Sequence, residues 1–140
     1  MDTQTNVYVD PQDAEKNKLF GILAYIPFLF LVPLFAAPDS KFSKFHANQG
    51  LLLTIVSVVL WIVQWILNAI IRAIFYRDPQ TLEDWVNYVN RASSTPFLII
   101  FVSLVVWAIV TILAIIGIVS ANKGECKPLP VIGKFNLINK

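Results

Sequence analysis

The side chains that could take part in chemistry are few and lie far apart. The chain of 140 residues contains one histidine, His46, and one cysteine, Cys126. A nucleophile needs a neighbouring base, and a zinc site needs about three or four ligands, so this pair indicates neither. The three long apolar blocks contain no Asp, Glu, His or Cys, which an intramembrane enzyme would need. The sequence therefore predicts a protein that is not an enzyme and binds no metal or other cofactor.

A polar stripe on the second apolar block could instead bind or conduct something. Its members follow each other at steps of three or four, the spacing of one helix face: Thr54, Ser57, Trp61, Gln64, Asn68 and Arg72. Such a stripe is costly to point at lipid, so it should face other helices or a wet cavity. One interpretation is glue between helices, and the other is a path for a solute or ion. The modest number of polar groups favours glue.

The elements that must position these residues are three apolar blocks, at 19–37, 51–74 and 97–121. The chain is 56% hydrophobic and only 14% charged, a composition typical of membrane proteins. Each block is long enough, as a helix, to cross a hydrocarbon core of roughly 30 Å. The predicted fold class is an all-α membrane protein with three transmembrane helices. A polar segment with a helix start (1–18) precedes the three-span domain (19–121), and a tail (122–140) follows it.

Local signals refine these helices. Asp10 followed by Pro11 indicates a helix start, and Asn122 to Glu125 indicates a helix stop. Pro27 and Pro33 predict a kink or a break in the first block, because proline removes a backbone donor. The third block carries a face of small residues that would let helix backbones approach closely: Ser103, Val110, Ala114, Gly117 and Ala121.

The connections predict two short amphipathic helices that lie on the membrane surface, at about 40–50 and 81–91. In the first, Phe42 and Phe45 would dip into the bilayer, and in the second Leu82, Trp85 and other apolar residues recur at helical spacing. With three spans, the basic residues on the two sides nearly balance. Their count leans towards a cytoplasmic first connection and tail, in a bacterial inner membrane.

The partners follow from these features. The formal net charge of +2 is too small to indicate nucleic-acid binding. The leading hypothesis is a non-enzymatic protein embedded in the lipid bilayer that assembles with itself or with another membrane protein. The alternative is a small oligomeric channel or carrier whose polar path runs along the second span.

Three segments resemble a known family. Tyr25 to Leu34 and the segment Phe45-His46-Ala47-Asn48-Gln49-Gly50 are similar to the Tic20-like group, and the stretch from Ala121 to Gly133 agrees with that group's closing segment. The group includes the chloroplast import component, DUF4870-related bacterial proteins and small magnetosome membrane proteins. The bacterial and magnetosome members match best, because the plastid component has four spans. The resemblance implies a role accessory to protein translocation or to membrane organisation.

The polar residues of this six-residue motif have two interpretations. His46 could be a proton-responsive or ligand-binding group at the membrane surface. Alternatively, His46, Asn48 and Gln49 hydrogen-bond the bent start of the second span and have a structural role only. The structural interpretation is favoured.

Overall fold

The computed structural model describes residues 9–75, 80–93, 97–135 and 137–138. These residues contain six helices and no strand, so the all-α prediction is confirmed for this part of the chain. The helices are α1 (Pro11–Lys16), α2 (Lys18–Leu23), α3 (Leu31–Ala36), α4 (Lys41–Phe75), α5 (Leu82–Ser93) and α6 (Phe97–Asn122). They belong to two compact units. The first unit comprises Met1–Ser57 with Val110–Lys140, and the second comprises Val58–Ile109.

Two helices in the described part of the chain, α4 and α6, are long and apolar enough to cross a membrane. The prediction of three spans is therefore wrong, because the first apolar block (19–37) does not form one helix. It is divided between α2 and α3, each of six residues. Pro27 has no backbone N–H to donate, and Phe28 has a φ of +67°, which a right-handed helix does not contain. Pro33 is tolerated because it lies in the first turn of α3, where backbone donors need no partner within the helix.

The predicted surface helix at about 40–50 is not a separate element. It forms the first turns of α4, which continues without a break to Phe75. Phe42, expected in the bilayer, is fully buried in the protein, and Phe45 is half-buried. Gly50 lies so close to the Ala24 carbonyl that a Cβ atom would overlap it. The segment therefore forms part of the protein core, because the broken first block packs against it.

The start of α4 is capped from within and from another helix. The Ser40 hydroxyl accepts a hydrogen bond from the Ser43 N–H at 3.0 Å. The Asp13 carboxylate, on α1, accepts one from the Phe42 N–H at 3.2 Å. Burial would raise the pKa of Asp13, but hydrogen bonds from Ser40, Phe42 and other donors lower it below its ordinary value. A negative charge here also suits the positive end of a long helix.

The other helix ends follow the sequence signals. Asp10 caps α1 by accepting a hydrogen bond from the Gln12 N–H at 2.9 Å, so the predicted helix start is confirmed. At the end of α6, Gly124 has a φ of +73°. This lets the Glu125 N–H donate to the Ser120 carbonyl at 3.0 Å, a glycine-dependent helix stop. The predicted helix at 81–91 is present as α5.

The core of the first unit joins residues from distant parts of the chain. Its buried apolar members include Tyr25 after α2, Phe42 and Leu53 on α4, Ala121 on α6, and Leu129 in the tail. Leu129 is buried in the protein, so the tail is an integral part of this unit.

The Asp13 cap predicts a specific dependence of stability on pH. Because the folded-state pKa of Asp13 is lowered, its stabilising contribution is complete above the ordinary value of 3.8. The contribution is lost as the pH falls through the lowered value. Thermal unfolding in detergent, followed by circular dichroism between about pH 6 and about pH 3, should therefore show a smaller acid-induced decrease for Asp13→Asn than for the wild type.

The control for this experiment is Glu15→Gln, which removes one negative charge from an exposed position on the same helix. At about pH 6, Asp13→Asn should unfold a few degrees below the wild type, and Glu15→Gln should not. If the two variants respond alike to acid, Asp13 does not stabilise the start of α4.

Candidate functional site

The six-residue motif Phe45–Gly50 lies near the start of α4 and contains three of the buried polar side chains of the first unit, His46, Asn48 and Gln49. His46 is 0% exposed, and Asn48 and Gln49 are almost as completely buried. Burying an amide or an imidazole without a hydrogen-bond partner costs about 1–3 kcal/mol. The partners of these three side chains therefore show what the motif does in the fold.

Asn48 binds the main chain of the tail. Its Nδ2 donates to the Phe135 carbonyl at 2.9 Å. Its Oδ1 accepts hydrogen bonds from the N–H groups of Leu137 and Ile138, at 2.7 and 3.0 Å. One buried amide thus satisfies three backbone groups of a segment that has no regular secondary structure.

Gln49 binds the same segment nearer to α6. Its Oε1 accepts a hydrogen bond from the Leu129 N–H at 3.1 Å, and its Nε2 donates to the Gly133 carbonyl at 3.2 Å. Gly133 lies so close to Gln49 and Leu129 that an added Cβ would clash. We call Asn48 and Gln49 together the amide clamp. Because the clamp binds backbone groups, it fixes the path of the tail main chain and makes no use of the tail's side chains.

His46 faces the broken first block instead of the tail. The Tyr25 hydroxyl lies 2.9 Å from His46 Nδ1. Burial raises the pKa of the Tyr25 phenol, so its hydroxyl is protonated at neutral pH, and the tautomer of His46 sets which of the two groups donates. The His46 ring also makes edge-on contacts with Tyr25, Phe42 and Phe45, with centroid distances of 5.7, 4.5 and 5.2 Å. Among the described residues, Nε2 has no hydrogen-bond partner.

These contacts agree with the structural interpretation of the motif and change its details. The three polar side chains bind Tyr25 and the tail, not the bent start of a span. The described residues include no group of three or more His, Cys, Asp or Glu that could hold a metal ion. Cys126 is buried in the core of the first unit, and burial raises the pKa of its thiol to about 12. At neutral pH the thiol is therefore protonated and a poor nucleophile.

The residues of the polar stripe on α4 differ in their exposure and in their hydrogen-bond partners. Thr54 and Ser57 bond to carbonyls of their own helix, at Gly50 and Leu53, with distances of 2.8 and 2.7 Å. Trp61 is largely exposed. Gln64 and Asn68 are half-buried, and the side-chain oxygen of Asn68 is buried without a partner among the described residues. The side chain of Arg72 lies outside the described part of the chain.

The face of small residues predicted on α6 is buried only near the end of the helix. Ser103, Val110 and Ala114 are half-buried, and Gly117 and Ala121 are buried. Ser103 bonds to its own helix at Ile99. The Tyr25 ring lies directly on Gly117, where a Cβ atom would overlap it. Gly117 thus gives the tyrosine the space from which it reaches His46.

Sequence patterns missed several residues of this site. Tyr25 was part of the family resemblance but was not assigned a partner, although it carries a hydrogen-bonding hydroxyl inside an apolar block. Asp13, which caps α4 from another helix, was not singled out. The tail residues Leu129 and Gly133 lay within the family resemblance, but no contact was predicted for them or for Phe135, because the clamp uses their backbone and not their side chains.

The amide clamp predicts that Asn48→Leu releases the tail. The substitution removes the acceptor of the part-buried N–H groups of Leu137 and Ile138, at a cost of about 0.5–1.5 kcal/mol for each hydrogen bond. In detergent, trypsin should then cut after Lys134 about tenfold faster than in the wild type, as measured by mass spectrometry. Thr54→Ala is the matched control, since it removes a hydrogen bond within α4 only. Equal cutting of Asn48→Leu and the wild type would show that the clamp does not hold the tail.

The comparison with known proteins corrects the resemblance. No curated protein and no solved structure matches the chain. The family that matches is MamF/MmsF, the magnetosome magnetite crystal formation protein family, over residues 16–136. The assignment to a Tic20-like or DUF4870-related family is therefore wrong, and a role in protein translocation loses its support. Because the match covers most of the sequence, this chain belongs to the magnetosome magnetite crystal formation protein family.

Proposed function

We propose that this chain is a non-enzymatic integral protein of the magnetosome membrane. In this proposal it serves magnetite crystal formation by assembling with itself or with other membrane proteins. The support for a role in magnetite crystal formation is the family match. The observation that carries the membrane location is the exposure of large apolar side chains along α4 and α6.

That exposure is extensive on both helices. Trp61 and Trp65 on α4 are 70% and 65% exposed, and Trp107 on α6 is 73% exposed. None of the residues in the most apolar stretch of α6 is buried within the protein. In water, the exposure of these side chains would cost roughly 25 cal/mol of free energy for every Å² of apolar surface left uncovered. In a bilayer the same surface faces hydrocarbon at no such cost, which is the normal state of a membrane span.

Two spans, rather than three, also change the expected orientation. The segments before α4 and after α6 then lie on one side of the membrane, and the connection between α4 and α6 lies on the other. All eight lysines of the sequence, from Lys16 to Lys140, fall before the apolar part of α4 or after α6, and the three arginines fall at or in the connection. Basic residues concentrate on the cytoplasmic side. The proposal therefore places the lysine-bearing segments in the cytoplasm and the connection between the two spans on the other side of the membrane.

Assembly is the mode of action that fits the described side chains best. The buried polar groups of the motif are mostly occupied by Tyr25 and by the tail, so they serve the fold. The unused surface is apolar and helical, and such surfaces associate with other membrane helices by packing.

The membrane proposal predicts which sites a membrane-impermeant maleimide can reach on intact isolated magnetosomes. Lys123→Cys, after α6, should be labelled at once, because the outer face of an intracellular organelle is its cytoplasmic face. Asn87→Cys, on α5, should be labelled only after detergent opens the membrane. Both positions are exposed in the protein. The natural Cys126 supplies the silent background, because it is buried and its pKa is raised to about 12.

Separate measurements test the membrane location of the protein and its role in crystal formation. Extraction with alkaline carbonate should leave the protein in the membrane pellet. Labelling of both cysteines before detergent would contradict two spans. In cells that carry this chain, deleting its gene should change the size of the magnetite crystals seen by electron microscopy, and re-expression should restore it. Unchanged crystals would remove the proposed process while leaving the membrane location intact.

A small oligomeric channel or carrier is the second candidate function, and one observation favours it. Gln64 and Asn68 lie one turn apart on α4, and the Asn68 side-chain oxygen is buried without a partner among the described residues. A buried amide oxygen left unpaired costs about 1–3 kcal/mol, and a permeating solute or a second copy of the chain could satisfy it.

This alternative predicts that Gln64→Leu with Asn68→Leu abolishes solute or ion flux into protein-containing vesicles while the protein remains folded by circular dichroism. The matched control is Ala69→Leu, an exposed position on the same helix. If the double variant fails to fold, the stripe serves as packing between helices. If flux continues at the wild-type rate, the channel hypothesis is wrong.

A further inference from the structure

The helix α5 presents an apolar face that the described part of its unit leaves uncovered. Leu82 is 83% exposed, and Trp85, Val86 and Val89 each expose more than half of their surface. Their spacing of three and four places them on one side of a helix. Glu83, Asp84 and Asn87 lie on the opposite side. A helix of twelve residues with this division needs an apolar surface to lie against.

The start of α5 is stabilised without help from another helix. The Asp84 N–H donates to the Thr81 hydroxyl at 3.1 Å, and the Asp84 carboxylate accepts from the Thr81 N–H at 3.0 Å. The same carboxylate accepts from the Gln80 N–H at 3.2 Å. This reciprocal cap satisfies several of the backbone donors that a helix start leaves free. The helix can therefore form at a surface that offers no hydrogen bonds to its first turn.

The connections restrict where α5 can lie. Three residues separate the end of α5 at Ser93 from the start of α6 at Phe97. A connection of this length spans at most roughly 14 Å when fully extended. If α6 crosses a bilayer, the end of α5 cannot move beyond the headgroup region next to the start of α6. The connection thus keeps the end of α5 within reach of the bilayer surface.

The composition of α5 identifies the kind of surface. Trp85 and Tyr88 form an edge-on pair with a centroid distance of 5.9 Å. These two residue types concentrate where lipid headgroups meet acyl chains. By sequence the helix carries two acidic residues and one arginine, Arg91, so it has no excess of positive charge to attract anionic lipids. Apolar burial is its main means of binding a bilayer.

We propose that α5 lies in the headgroup region of the bilayer, parallel to its surface. Leu82, Trp85, Val86 and Val89 are inserted among the acyl chains, and Glu83, Asp84 and Asn87 face the aqueous compartment on the side opposite the cytoplasm. The binding partner is a zwitterionic lipid surface. This inference rests on the proposed function, because it requires that α4 and α6 span the membrane.

The experiment uses the full chain in phosphatidylcholine vesicles, with Trp61, Trp65 and Trp107 changed to Phe so that Trp85 is the reporter. Lipids brominated near the headgroup end of their acyl chains should reduce Trp85 emission about twofold, and aqueous iodide should have little effect. Adding phosphatidylglycerol should not increase the quenching. Val86→Glu should abolish the quenching by brominated lipid, whereas Asn87→Glu, on the polar face, should leave it unchanged.

A second reporter separates this inference from the one on which it rests. A variant that keeps Trp65 alone should be quenched by lipids brominated deep in the acyl chain if α4 spans the bilayer. Quenching of Trp65 without quenching of Trp85 would overturn the position of α5 and leave the spans in place. Protection of Trp85 from both bromine and iodide would mean that protein covers this face, which also overturns the inference. If the deeply brominated lipids do not quench the emission of Trp65, the proposal that α4 spans the bilayer is itself overturned.

Discussion

The fold of the first unit depends on one constraint, which is the burial of polar side chains on the first turns of α4. His46, Asn48 and Gln49 lie within four residues of each other and are shielded from water. Each would be costly to bury alone, so the surrounding chain must bring partners to them. The break in the first apolar block places the Tyr25 hydroxyl against His46. The irregular tail brings backbone groups to Asn48 and Gln49. The two segments lack long helices, and they gain order from these contacts.

The second unit is dominated by exposed apolar side chains instead of buried polar ones. Its described helices contain few buried polar groups and expose large apolar side chains such as Trp65 and Leu104. The described residues do not cover this surface, so we expect the surrounding medium to do so. A bilayer provides that cover. On this view the two parts of α4 have different roles: its first turns serve as a scaffold for the tail, and its later turns serve as a span.

Membership of a magnetosome family changes how the motif is interpreted. The segment Phe45–Gly50 suggested a link to protein import. Its hydrogen bonds instead join α4 to the first block, through His46, and to the tail, through the amide clamp. A motif with this role can persist in proteins of different function, because it specifies a fold and not a reaction. We propose that function depends on the surfaces that these contacts leave free, which among the described residues are the apolar faces of α4, α5 and α6.

The sequence by itself determined the helical class, the two strongest apolar helices, the start of α1 and the ends of α5 and α6. These properties depend on composition, periodicity and local caps such as Asp10 and Gly124, which act within a few residues. It could not decide that residues 19–37 fail to form a span, since a proline can either kink a helix or end it. It also could not show that residues 42–50 form a core instead of a surface helix. That outcome depends on Tyr25, Asp13 and the tail, which contact the segment from 20 to 90 positions away along the chain. Long-range contacts of this kind use backbone groups and buried hydroxyls, and only the tertiary structure brings them together.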